Sequence, residues 1–149
     1  MKSHNSHLTA ITRKDFPVPT RWLMKQSLIR GKVLDYGCGK CYTINPIKWD
    51  NFDPHYYPST LIPGYDTILC NYVLCTLPAD ERLEVLQMIK FFLKSDGIAY
   101  ISVRNDKPKQ GWGISKRKTY QGRVRNLNLP LLYKNSHFRI YKLTANTKL

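Results

Sequence analysis

The sequence predicts an α/β domain: a mostly parallel sheet flanked by helices, with an antiparallel pair of strands at its C-terminal end. Three observations lead there. Short β-prone runs alternate with helical spacing between residues 32 and 103, the pattern of parallel strands joined by crossovers. A glycine-rich turn, Gly37-Cys38-Gly39, follows the first of those runs directly. With 149 residues, 42% of them hydrophobic and 12% aromatic, the chain can fill one core but not two. A single domain over residues 1–149 is therefore expected, with residues 1–18 loosely ordered.

Each element has its own local reason. Trp22, Leu23, Gln26 and Ile29 fall at helical spacing after a proline-rich entry, which predicts a helix over residues 19–29, closed at Gly31. Lys32-Val33-Leu34-Asp35-Tyr36 reads as a strand running into the glycine turn. Between that turn and Trp49, Pro46 leaves room only for a short helix. A brief strand is expected at Asn51-Phe52-Asp53, closed by Pro54, while Pro58 and Pro63 make the stretch up to Gly64 a loop. Residues 65–72 form the next strand. Residues 78–94 form the clearest helix, with Leu86, Ile89 and Leu93 on one stripe, Val85 and Phe92 beside it, and Asp80 and Glu81 at its positive end. Lys94-Ser95-Asp96-Gly97 reads as a turn, residues 98–103 as a buried strand, and residues 119–129 with 138–143 as the antiparallel pair.

The formal net charge is +14, and it is unevenly spread: from Arg104 onward there are twelve Lys or Arg against one acid, Asp106. Such a field attracts phosphate polyanions, so a nucleic-acid partner through the basic C-terminal third is one expectation; a solvated basic face without a specific partner is the other. No apolar run reaches the roughly 20 residues of a membrane span, and the first fourteen residues lack the apolar block of a signal peptide. A soluble, cytoplasmic protein without a membrane partner is expected. Cys38, Cys41, Cys70 and Cys75 do not follow the spacing of a disulfide scaffold, which agrees with a reducing compartment. Cys38-x-x-Cys41, with Cys70 and Cys75 on a neighbouring strand, also permits a zinc reading, but a metal there would compete for the space at the glycine turn, and His4, His7, His55 and His137 show no ligand spacing. No metal is expected.

In parallel sheets ligands bind at the carboxyl ends of the strands. Asp35-x-Gly37-x-Gly39 lies at one such end, where glycines permit a tight turn and a close approach to the backbone. Asp53 ends the next strand, where an acid can accept hydrogen bonds from ribose hydroxyls; before a proline it can equally be a turn initiator. Asn71 and Tyr72 end the third strand. An amide there could orient an acceptor amine or base edge and a ring could stack on it, or both could simply pack.

Taken in order, Val33-Leu34-Asp35-Tyr36-Gly37-Cys38-Gly39-Lys40, Phe52-Asp53-Pro54, Tyr65-Asp66-Thr67-Ile68-Leu69-Cys70-Asn71-Tyr72-Val73-Leu74 and Leu93-Lys94-Ser95-Asp96-Gly97 resemble the ordered motifs of class I S-adenosylmethionine-dependent methyltransferases. The resemblance covers roughly residues 19–104. Residues 9–14 and Thr119-Tyr120-Gln121 are similar to short bacterial members of that family. It implies a Rossmann-like fold and S-adenosylmethionine as cofactor. The loop of Asp35, Gly37, Cys38 and Gly39 would hold its methionine end, Asp53 its ribose and Cys70 a further contact, with Asn71 and Tyr72 beside the methyl-bearing sulfur and His55 near the adenosine. Cys41 stands where the family's loop has its third glycine, the segments on either side of Asp53 are short, and the Asn-Pro-Pro-Tyr signature of base amino-methylation is absent. The resemblance leaves the methyl acceptor open, a nucleic acid being one candidate. The alternative is a non-catalytic basic nucleic-acid-binding protein with a methyltransferase-like fold. A dinucleotide oxidoreductase is disfavoured because the loop lacks GxGxxG spacing.

Overall fold

The chain enters its first helix, α1 (Val18–Lys25), through Pro17 at the cap and Pro19 in the first turn, where a missing N–H costs nothing. The spacing predicts a helix reaching residue 29, but it stops at Lys25. Ser27 adopts a left-handed φ of +56° and donates to the Met24 carbonyl at 3.0 Å, while the Leu28 N–H reaches back to the Leu23 carbonyl at 3.1 Å. That paired closure is the Schellman motif. Leu28 and Ile29 still pack against the apolar cluster that contains Leu23, so their apolar periodicity reflects burial beyond the helix's end.

The structure, a computed structural model, describes residues 7, 10, 14–40, 48–106, 113–114, 120–121, 124 and 127–149. Its main sheet has the order β2-β1-β3-β4-β8-β7, formed by β1 (Val33–Tyr36), β2 (Asp50–Phe52), β3 (Tyr65–Asn71), β4 (Leu93–Arg104), β7 (Leu131–Lys134) and β8 (Phe138–Thr144). Strands β1 to β4 are mutually parallel; β8 runs antiparallel to β4, and β7 antiparallel to β8. This is the α/β architecture that the sequence predicts, mostly parallel strands ending in an antiparallel pair. Its partner strand differs, however. β8 pairs with Leu131–Lys134 rather than with residues 119–129, because Asn135 closes a tight turn by accepting the His137 and Phe138 N–H groups, both at 2.8 Å. Of residues 119–129, Tyr120–Gln121 (β6) pairs instead with Gly113–Ile114 (β5).

Helix α2 (Ala79–Phe92) covers one face of the sheet and α1 the other. Leu34, Ile68, Cys70, Ala99 and Ile101 alternate toward the α2 side with Val85, Leu86 and Ile89; Val33, Leu69, Tyr100 and Ile140 point toward Leu23 of α1. Strands buried on both faces must be apolar at nearly every position, which is why residues 67–70 and 98–103 lack the alternation of an exposed sheet. The predicted turn at residues 94–97 is absorbed into β4 as a bulge: Tyr65 pairs with Leu93, and two residues on Thr67 pairs with Ile98. Asp66 anchors it, accepting from the Lys32 N–H at 2.7 Å and the Lys94 ammonium at 3.0 Å, with the Arg30 guanidinium at 3.7 Å. Among the described residues no helix is long and apolar enough to cross a membrane.

Candidate active site at the carboxyl ends of the parallel strands

From β1 the chain moves outward to β2 and then crosses back to the opposite side of β1 as β3. That reversal creates a switch point, the position where open parallel sheets take ligands, at the carboxyl ends of β1 and β3. The glycine turn leaves β1 at this place. Gly37 and Gly39 hold left-handed φ values of +79° and +63°, and a Cβ on Gly37 would collide with a methyl of Val73, just beyond β3. Glycine is therefore required at 37 both by conformation and by the neighbouring chain.

The turn's amides are bound within the protein. The Gly37 and Cys38 N–H groups both donate to the Phe52 carbonyl, at 2.7 and 3.0 Å, and the Gly39 N–H donates to Asp53 Oδ2 at 3.0 Å. Asp53 Oδ1 accepts from the His55 and Tyr56 N–H groups at 2.9 and 3.0 Å. Asp53 is thus a turn initiator that also ties the loop after β2 to the glycine turn. His55 stacks on His7 with ring centroids 4.1 Å apart, the Tyr56 hydroxyl donates to the His7 carbonyl at 3.3 Å, and Gly39 is buried beneath Ala10. Asp35 is buried at the end of β1, and Cys38 is half-buried with its thiol 3.5 Å from the Gly39 carbonyl. Cys41 and the short helix expected before Trp49 lie outside the described residues.

Asn71 ends β3 and Tyr72 follows it, at the same end of the sheet as the glycine turn. The Asn71 amide donates through Nδ2 to Thr20 Oγ1 at 2.9 Å and accepts from Ser102 Oγ at 2.8 Å. Tyr72 has a φ of +59°, an unfavourable value for a bulky side chain, and its N–H donates to the Ser102 carbonyl at 3.0 Å. Cys70 is different. Its side chain is 0% exposed inside the α2-side core, where burial, and then the Asp35 charge, push its thiol well above the ordinary range. The expectation that Cys70 contributes a cofactor contact is corrected for its side chain, because strand alternation turns that thiol into the core.

The geometry therefore brings together Asp35, Gly37, Cys38, Gly39 and Asp53 on one side and Asn71 and Tyr72 on the other, and excludes the Cys70 thiol. Sequence reading missed Thr20, Ser102 and Val73. No local signal marked the two hydroxyls: Thr20 and Ser102 are 0% and 1% exposed, and neither belongs to a motif. Arg104, the first cation of the basic C-terminal third, is held by Asp106 in a two-pronged ion pair at 2.7 and 2.9 Å, which raises its pKa. Lys116, Arg117, Lys118, Arg123 and Arg125 lie outside the described residues. Among the described residues no group of three or more His, Cys, Asp or Glu is placed to hold a metal. A separate cavity of about 450 Å³, lined by Lys32, Trp49, Asp50 and Tyr65 among others, opens at the amino ends of β1 to β3, away from the glycine turn.

No family model matches this chain, and no curated protein does. Among solved structures it is similar to PKMT2 from Rickettsia typhi, at 17% identity and a TM-score of 0.36, over 50% of this chain and 21% of that one. It is also similar to coclaurine N-methyltransferase bound to N-methylheliamine and SAH, at 15% identity and a TM-score of 0.41, over 60% of this chain and 38% of that one. The chain thus spans about a fifth of the first and under two fifths of the second.

Proposed function

We propose that this chain is a methyltransferase that uses S-adenosylmethionine, bound in the crevice between β1 and β3. The observation that carries the reading is the bond between Gly39 and Asp53, which draws the motif after β1 and the acid after β2 to one end of the sheet, opposite Asn71 and Tyr72. The residues fit the cofactor. Asp53 accepts three backbone hydrogen bonds, and a carboxylate offers about four acceptor positions, so one remains for a ribose hydroxyl. The Asn71 amide, with one hydrogen and one lone pair engaged, keeps one of each.

When bound, the cofactor supplies a methyl group on a cationic sulfur. Asp35, Gly37, Cys38 and Gly39 would hold its methionine end and Asp53 its ribose. Asn71 and Tyr72 would orient the acceptor. In-line displacement depends chiefly on close, aligned approach and exclusion of water, and the site accordingly needs no strongly basic side chain. The acceptor we propose is a nucleic acid, drawn in by the basic C-terminal third.

A second reading, a non-catalytic basic nucleic-acid-binding protein with the same fold, has a specific support: the amides of Gly37, Cys38 and Gly39 all donate within the protein. Calorimetric titration with S-adenosylmethionine, with NAD as the control, separates the two. Saturable binding of the methyl donor and not of NAD is the expected result. Absence of binding at millimolar S-adenosylmethionine leaves the second reading.

A further inference from the structure

Two features at the end of β3 coincide. Asn71 is clamped from both sides by hydroxyls, Thr20 of α1 at 2.9 Å and Ser102 of β4 at 2.8 Å, and both clamping residues are buried while Asn71 is only partly so. The next residue, Tyr72, sits in the left-handed region, held there by a 3.0 Å bond from its N–H to the carbonyl of the same Ser102. Buried hydroxyls inside apolar elements are costly unless satisfied, and a bulky residue at positive φ persists only where its surroundings hold it. Two elements, α1 and β4, contribute hydroxyls to one amide on a third, and the carbonyl of one of those residues, Ser102, also supports the strained turn.

We propose that Thr20 and Ser102 are positioning residues, which fix the Asn71 amide and the Tyr72 turn in the single orientation that presents both to the sulfur end of the crevice. The inference rests on the methyl-donor reading above. With Nδ2 committed to Thr20 and Oδ1 to Ser102, the amide cannot rotate without breaking two bonds. Ser102 couples this to the backbone, since displacing it would loosen the side chain of Asn71 and the main chain of Tyr72 together. Neither Thr20 nor Ser102 touches the ligand in this assignment; they act through Asn71 and Tyr72.

The test compares S-adenosylmethionine with S-adenosylhomocysteine, which differ only by the methyl group and charge at sulfur. Calorimetry on the full chain gives the ratio of the two affinities. Thr20→Val and Ser102→Ala should each change that ratio by about three- to tenfold, up to the worth of one buried hydrogen bond, while Thr20→Ser, which keeps the hydroxyl, should retain the wild-type ratio. Loosening of the fold alone would weaken both ligands equally. An equal loss for both ligands, or no change for either, in both hydroxyl-removing variants overturns the positioning role. If the wild-type chain binds neither ligand, the methyl-donor reading itself falls and takes this inference with it, a result distinct from an unmoved ratio.

Discussion

Replacing Asp53 tests the tie that organises the site. Its carboxylate accepts from Gly39 at 3.0 Å, His55 at 2.9 Å and Tyr56 at 3.0 Å, so Asp53→Ala leaves three amides without their acceptor. The His55 amide belongs to an exposed residue and can turn to water, whereas Gly39 is buried. Hydrogen bonds to a charged group contribute about 1.5–3 kcal/mol each, less where solvent screens them, and an abandoned buried donor bears its full desolvation cost. The expected loss is about 2–4 kcal/mol for Asp53→Ala. Asp53→Asn keeps one oxygen for the turn but places an NH₂ group or nothing toward Gly39, so about 1–2 kcal/mol should go with that single bond.

Urea unfolding at unchanged slope measures both losses. An Asp53→Asn midpoint equal to that of the wild type would refute the reasoning, since the Gly39 bond would then carry no weight. Binding is a separate axis. If Asp53 also holds the ribose, folded Asp53→Asn should bind S-adenosylhomocysteine about ten times more weakly or worse. A destabilised variant with unchanged affinity would leave Asp53 a turn residue only.

Gly37→Val should destabilise by about 2–4 kcal/mol, because it forces a β-branched residue to positive φ against a Val73 methyl; a thermal midpoint within a degree or two of wild type would contradict this. Asp66 should govern part of the acid limb: its bond from the Lys32 amide, then the Lys94 ammonium, hold its pKa below the ordinary carboxylate value, so its contribution is present above that value and lost as pH falls through the lower, folded one. The Asp66→Asn variant should therefore show a flatter decline of stability with acidification, and an identical decline would remove Asp66 as a cause. For nucleic-acid binding across a salt series, replacing Arg117 and Lys118 by Ala should lower the slope of log K against log salt by about one per lost phosphate contact, whereas Arg104→Ala should leave it unchanged because Asp106 already occupies that guanidinium. No complex even at low salt would favour a small-molecule acceptor.

Fold class was legible because burial on both sheet faces writes continuous apolar runs, and because glycine and proline mark the ends of those runs. The errors arose where local pattern and long-range pairing part company. Leu28 and Ile29 keep helical periodicity after Ser27 has closed the helix, since they remain on the buried side. β8 takes Leu131–Lys134 as its neighbour because of the short Asn135 turn, whereas the longer run at residues 119–129 lies too far along the chain for that closure. The glycine turn and Asp53 were legible as positions at strand ends, but whether their polar groups face a ligand or each other depends on contacts fourteen residues apart in the chain.

The network around Asn71 shows why the remainder was hidden. Asn71 lies opposite Ser102 only because β3 and β4 hold a particular register, and a slip of one residue would send Ser102 to the other face of the sheet. That register is set at the far end of the strands, where residues 94–97 bulge out so that Thr67, two places after Tyr65, meets Ile98, five places after Leu93. Asp66 fastens the bulge through Lys94 and the start of β1 through the Lys32 amide. The geometry of the crevice is thus decided partly by an acid at the opposite end of the sheet, which no motif at the crevice can announce. Asn71 and Tyr72 stand out at a strand end, but Thr20, Ser102 and Asp66 acquire their significance only once the register is known.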